Sequence, residues 1–221
     1  MSVMTTLDVA GLPVLIVGGG GVATRRGAAL TEHGAVLTVV APSIDEALSA
    51  AAEKSGGTAH RRAYRSADLT GCRLAIAAAD DASVNAQVAD DAASAGVWCN
   101  CASEPSRARV GFVAERRVGQ VRVGVETGGV SAAAAREIAD TLATSLEGSD
   151  WAGLLGEAKR WRGRVQDAIE PGERRQAALR ELTGPTARRR LAEGGAEALN
   201  AYYEGVLADA SGATMSRGGA T

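Results

Sequence analysis

The stretch VLIVGGGGVATRRGAAL, Val14 to Leu30, constrains this chain more than any other. An apolar run ends in four consecutive glycines, and a helical run begins directly after them. Gly18-Gly19-Gly20-Gly21-Val22-Ala23 satisfies G-x-G-x-x-A at a strand-to-helix junction. Gly18 permits the tight turn, and Gly20 lets the backbone approach a pyrophosphate. The small Ala23 lets the helix pack close to the strand, while the helix N-terminus, from Gly21 and Val22, supplies amide donors for phosphates. A glycine fingerprint alone is weak, so its surroundings decide its weight.

Those surroundings alternate regularly. Pro13–Val17, Ala35–Val40, Arg73–Ala79 and Val97–Ala102 read as short apolar strands, with a more polar one over Thr58–Tyr64. Helical runs separate them: Gly20–His33, one within APSIDEALSAAAEKSGG, and SVNAQVADDAASAG ended by Gly96. Short buried strands alternating with helices predict an α/β fold, a doubly wound parallel sheet. Past Arg109 the style changes. VGFVAERR and VRVGVET read as two strands about a turn at Gly119, and GGVSAAAAREIADTLATSLEG as one long helix. From Trp151 onward the chain is helical and arginine-rich, with a break at Pro171-Gly172. The pattern predicts a dinucleotide-binding domain over 1–112, a strand-helix segment over 113–146, a helical domain over 147–209 and a disordered tail over 210–221.

Composition narrows the partners. A formal net charge of −2 lacks the positive field that non-specific nucleic-acid binding needs. No apolar run reaches the roughly 20 residues of a membrane helix, and the N-terminus lacks a signal-peptide layout. Cys72, Cys99 and Cys101 form neither a metal spacing nor an even disulfide set, which fits a reducing cytoplasm. Only two histidines exist, His33 and His60, and both read as surface positions, so no metal site is expected.

One part of a dinucleotide site is missing. An acidic residue normally ends the second strand and holds the adenosine ribose. Here the strand runs into Ala41, Pro42 and Ser43, and Asp45 comes two residues late. Ribose contacts then fall to backbone amides and Ser43. No arginine stands there to favour a 2′-phosphate, so NAD is the expected cofactor. Of Asp80 and Asp81, at a strand end, one or the other reads as the cap of the following helix beside the cofactor.

VGGGGVATRR, VVAP, LAIAAADDASVN, CNCASEP and VETGGVSAAAAR occur in an order and at distances that resemble the precorrin-2 dehydrogenase/sirohydrochlorin ferrochelatase family, the siroheme synthase module. The resemblance covers about Pro13 to Leu182. It implies a Rossmann-like domain, a dimerisation segment and a helical domain, in a homodimer that oxidises the tetrapyrrole precorrin-2 with NAD; some members then insert iron. It places cofactor contacts on Gly21, Val22, Pro42 and Ser43, and aligns the family's strand end with Asp80 and Asp81. It also implies a substrate pocket at Thr127-Gly128-Gly129, with Arg136 and one or two of Arg160, Arg162 and Arg164 facing substrate carboxylates.

The chain departs from the family at one position. Asn100 and Pro105 fix the register of N-V-x-D-x-P, and Ser103 stands where the family has its aspartate. Glu104 is adjacent, but neighbouring side chains on extended backbone face opposite ways. Ser103 and Glu104 are thus the catalytic candidates. Three readings follow: a dehydrogenase with little or no chelatase activity, a bifunctional enzyme using Glu104, or a catalytically impaired tetrapyrrole- and NAD-binding protein acting in handover or regulation.

Overall fold

A computed structural model describes residues 3–212. The chain divides into two compact units, one ending at Phe112 and the other beginning at Val113.

The first unit is a five-stranded parallel sheet. Its strands are β1 (Pro13–Val17), β2 (Val36–Ala41), β3 (Thr58–Arg61), β4 (Leu74–Ala77) and β5 (Trp98–Cys101), in the spatial order β3-β2-β1-β4-β5. Between them run α1 (Gly21–Glu32), α2 (Glu46–Lys54) and α3 (Ala82–Ala95). The order reverses direction between β1 and β4, which leaves a crevice at the carboxyl ends of those strands.

Alternation along the strands assigns each residue a face. Val14, Ile16, Leu37, Val39, Leu74 and Ile76 join Ala23 and Leu30 of α1 and Leu48 and Ala52 of α2 in one core. Leu15, Val17, Val40, Ala75, Ala77, Cys99 and Cys101 join Val88, Ala89 and Ala92 of α3 in the other. Both faces are covered, so the strands read as continuous apolar runs. The two thiols of β5 share a face as small buried residues, and burial pushes Cys99 up to about 11.

Several strand ends shift by one or two residues from the sequence expectation, and two departures have a visible tertiary cause. The strand expected over Thr58–Tyr64 stops at Arg61, because Arg62 turns to make a two-pronged ion pair with Asp68 at 2.6 and 2.8 Å. Val110 and Phe112, expected within a strand, instead pack as connecting chain on the core beneath α1 and α2. Buried Asn100 fixes that chain by donating to the Val110 carbonyl at 2.8 Å. The Arg26 guanidinium lies 4.0 Å from the centre of the Phe112 ring, where burial and neighbouring Arg25 lower its pKa.

The second unit opens with the hairpin β6 (Ala114–Val118) and β7 (Val121–Val125), followed by α4 (Ala132–Glu147). Arg116 of β6 pairs with Asp140 of α4. Three helices complete it: α5 (Trp151–Ala168), α6 (Glu173–Glu181) and α7 (Pro185–Ser211), the last interrupted at Gly194-Gly195. Leu154, Trp161, Val165, Leu182, Leu199 and Tyr203 form their common core. The tail is expected from 210, but α7 continues to Ser211 and ends on Gly212, whose φ of +78° lets its amide cap the last turn. Residues 213–221 lie outside the described residues.

Tyr203 is fully buried, donates its hydroxyl to the Leu182 carbonyl at 2.5 Å, and lies 5.5 Å from the Trp161 ring. Burial first, then Glu157 and Tyr202, push it up to about 12 from its ordinary 10.0. A tyrosine whose native pKa is raised stays protonated in the fold while the unfolded chain ionises. The contribution is therefore complete below pH 10 and is lost as pH rises toward 12. Denaturation followed by tryptophan fluorescence should show stability falling by about 1–2 kcal/mol across that window. Tyr203→Phe should be less stable at neutral pH and show a shallower decline, since burial also raises Tyr64 and Tyr202, which retain their share.

Candidate dinucleotide site

The four glycines of the opening turn serve two different purposes. A Cβ on Gly18 would stand 2.2 Å from the Ala78 carbonyl oxygen, and φ there is +129°. On Gly19 it would stand 1.9 Å from the Ser43 carbonyl oxygen. These two glycines are required by the protein's own backbone. At Gly20 the nearest atom is Asp80 Oδ1 at 4.0 Å, and at Gly21 it is Arg25 Nη1 at 3.6 Å. Nothing in the fold demands glycine at those two positions, so the space above them is available to a ligand.

The helix that follows is open at the same end. Asp45 caps α2 by accepting from the Ala47 amide, and Asp81 caps α3 by accepting from the Ser83 amide. No side chain caps α1, and its first turn contains no acidic residue. Its leading amides and the positive end of its dipole thus face the room over Gly20 and Gly21, as an anion site requires.

Gly20, Gly21 and Val22 line a cleft of about 260 Å³ together with Ala78, Ala79, Asp80, Asn85, Ala102 and Ser103. The ends of β1, β4 and β5 thereby meet at the reversal in strand order. Val22 remains 40% exposed and offers an apolar surface inside it. Ala23 is fully buried and brings α1 onto the sheet. Pro42 and Ser43 are exposed beside the glycine turn, which the Asp45 amide fastens by donating to the Gly19 carbonyl at 2.9 Å. Because Asp45 also caps α2, it is committed to holding the loop. Asp81 likewise caps α3, and its own hydrogen bonds to Ser83 hold its carboxyl below the usual range. Asp80, by contrast, lines the cleft.

Ser103 and Glu104 separate. Ser103 sits in the cleft, where Asn85 donates to its Oγ at 3.2 Å. Glu104 lies 2.6 Å from Arg107 Nε, and Arg107 also reaches Asp90 at 2.6 Å. Asn85 is the residue whose part the sequence conceals. It is 2% exposed, and its amide both accepts from the Ala79 N–H and donates to the Ala79 C=O, each at 2.8 Å. Its position one turn into a helix gives only a faint signal.

In the second unit, Thr127 exchanges hydrogen bonds with the Ser131 backbone and Ser131 caps α4, while Gly128 and Gly129 turn with φ of +63° and +77°. Arg136 is exposed on α4. Arg160 pairs with Glu157, and Arg164 with Glu204 at 3.0 Å while lying over the Trp161 ring. His33 and His60 are both exposed. No group of three or more His, Cys, Asp or Glu side chains able to hold a metal occurs among the described residues. No helix among them is long and apolar enough to cross a membrane.

A parallel sheet with a glycine turn and an uncapped helix at its crevice defines a dinucleotide-binding protein. Residues 5–117, just over half of the chain, match the family described as "Putative NAD(P)-binding", and the chain belongs to that family. It is 40% identical over 186 residues to a siroheme synthase of Pseudomonas putida, covering 84% of this chain and 40% of that protein. A siroheme synthase of Pseudomonas fluorescens is 39% identical over 197 residues, covering 89% and 42%. The chain thus spans about two-fifths of the length of these curated relatives. Its fold is similar to that of a solved structure titled SirC, precorrin-2 dehydrogenase, with a TM-score of 0.75, 23% identity, and coverage of 92% of this chain and all of that one.

The two kinds of glycine predict opposite outcomes for the same change. Gly19→Ala should prevent stable folding, since its Cβ meets backbone. Gly20→Ala should leave the melting temperature within a few degrees of the parent and weaken NAD binding at least tenfold. Thermal melts with and without NAD separate the two.

Proposed function

We propose that this chain is an NAD-dependent precorrin-2 dehydrogenase of siroheme biosynthesis, acting in the cytoplasm as a homodimer. The observation that carries the reading is the open glycine turn, where Gly20 and Gly21 leave ligand room before an uncapped helix. The siroheme synthase relatives and the SirC fold support the choice of substrate.

Oxidation of precorrin-2 to sirohydrochlorin removes one hydride and one proton from a ring system. Bound NAD supplies the hydride acceptor. The α1 amides of Gly21 and Val22 would hold the pyrophosphate, Pro42 and Ser43 would border the adenosine ribose, and Asp80 and Ser103 would border the nicotinamide half. Thr127, Gly128, Gly129 and Arg136 are assigned to the substrate, Arg136 as a free cation for its carboxylates. Arg160 and Arg164 are less suited to that role, because Glu157 and Glu204 already hold them. The segment 113–146 is assigned to dimerisation and 147–209 to the helical domain.

Iron insertion is not part of the assignment. Glu104, the carboxylate beside the serine, is neutralised by Arg107. That ion pair, with Ser103 in place of an acid, favours one activity over two.

Anaerobic incubation of precorrin-2 with NAD should produce NADH and the sirohydrochlorin spectrum together. Subsequent addition of ferrous or cobalt ion should leave the product metal-free beyond the uncatalysed rate. Binding of both ligands without NADH would instead identify a handover or regulatory protein.

A further inference from the structure

Hydrogen-bond accounting around Asn85 determines what Ser103 can do. A backbone N–H only donates and a C=O only accepts, so the two bonds to Ala79 at 2.8 Å fix which end of the Asn85 amide is which. Oδ1 takes the Ala79 N–H, and one Nδ2 hydrogen goes to the Ala79 carbonyl. The second Nδ2 hydrogen points at Ser103 Oγ, 3.2 Å away. Oγ is therefore an acceptor in that contact, and the hydroxyl proton has to be directed elsewhere. The only other partner of that hydroxyl among the described residues is Cys101 Sγ at 3.7 Å, a weak acceptor. Ser103 is exposed into the cleft it shares with Gly20, Gly21 and Asp80.

We propose that Asn85 is a positioning residue that makes Ser103 a hydrogen-bond donor to the carboxamide oxygen of the bound nicotinamide, rather than a proton acceptor. The proposal rests on the assignment of this cleft to NAD. Its geometric basis is independent of the chemistry at the tetrapyrrole. The crevice runs from the glycine turn, where the phosphates would be held, to the ends of β4 and β5, where Ala79 and Ser103 stand, so the far half of a bound dinucleotide would lie toward Ser103. Asn85 also clamps the backbone at Ala79, which lines the same wall. One buried side chain thus sets both the shape of that wall and the direction of its one hydroxyl.

The role predicts a split between two probes. NAD carries the nicotinamide half, and ADP-ribose lacks the nicotinamide ring and its carboxamide. Ser103→Ala should weaken NAD binding about three- to tenfold, the range of one hydrogen bond, and leave ADP-ribose binding unchanged. Ser103→Thr keeps the hydroxyl and should restore NAD binding. Asn85→Ala should weaken NAD, and adding Ser103→Ala to it should cost nothing more, since the donor is already misdirected. In turnover, Ser103→Asp keeps the acceptor for Asn85 and adds a base, so it should introduce an acidic limb into the pH profile that the parent lacks.

Equal loss of NAD and ADP-ribose in Ser103→Ala would overturn the donor assignment, as would no loss of either. Additive effects of the two substitutions would overturn the positioning role of Asn85. Should Asn85→Ala fail to fold, the Ser103→Ala and Ser103→Thr pair still decides whether Ser103 donates. A parent protein that binds neither NAD nor ADP-ribose would refute the proposed function itself, an outcome distinct from all of these.

Discussion

The close approach of backbone to backbone at Gly18 and Gly19 is the constraint on which the first unit depends. Gly18 donates to the Val40 carbonyl at 3.1 Å, and the Ala78 amide donates to the Val17 carbonyl at 2.8 Å. Asp45 secures the Gly19 carbonyl from the other side. The ends of β1, β2 and β4 are thus drawn together at one point, with no side chain between them. Everything the site needs follows from that convergence. The first turn of α1 starts at the reversal in strand order, and the loops after β4 and β5 face it. Side chains at Gly18 or Gly19 would push these strand ends apart and move the helix N-terminus out of the crevice.

The architecture was legible because its cause is local. Apolar runs of strand length, punctuated by glycine and separated by helical periods, leave few economical arrangements. The misplaced strand limits have tertiary causes. Arg62 left the expected strand for Asp68, six residues on, and Val110 and Phe112 were drawn onto a core face left open beside β5. Periodicity carries no information about such partners. At the site the glycine spacing pointed to the turn, while the division of work among the glycines was hidden. The demand at Gly19 comes from the Ser43 carbonyl, a contact that only the folded loop creates. Asn85 escaped for the same reason, since its partners lie six and 18 residues away in sequence.

The acidic residues show why residue type alone is a poor guide to a site. Asp45, Asp80, Asp81 and Glu104 all lie near the crevice in sequence. Asp45 and Asp81 accept from helix amides and hold loops in place. Glu104 belongs to a surface ion-pair group with Arg107 and Asp90. Among the cleft-lining residues only Asp80 carries a carboxyl group. Its Oδ1 stands 4.0 Å from the place a Cβ on Gly20 would take, beside the open start of α1, a position that suits hydroxyl donors better than anions. The division follows from hydrogen-bond supply, because a carboxylate offered a helix amide is more stable there than facing water.

The same accounting explains how a serine can stand at a position expected to hold an acid without disrupting the site. Asn85 needs an acceptor for its last hydrogen, because a buried amide donor left unpaired is costly. A carboxylate and a hydroxyl oxygen both meet that need, so the fold around Ala79 is indifferent to which is present. The two differ only on the side facing the cleft. A carboxylate presents a second acceptor and a place for a proton, whereas a hydroxyl already accepting from Asn85 presents a donor. Exchange at this one position therefore changes what the crevice asks of its ligand while leaving the strand, the clamp and the glycine turn intact.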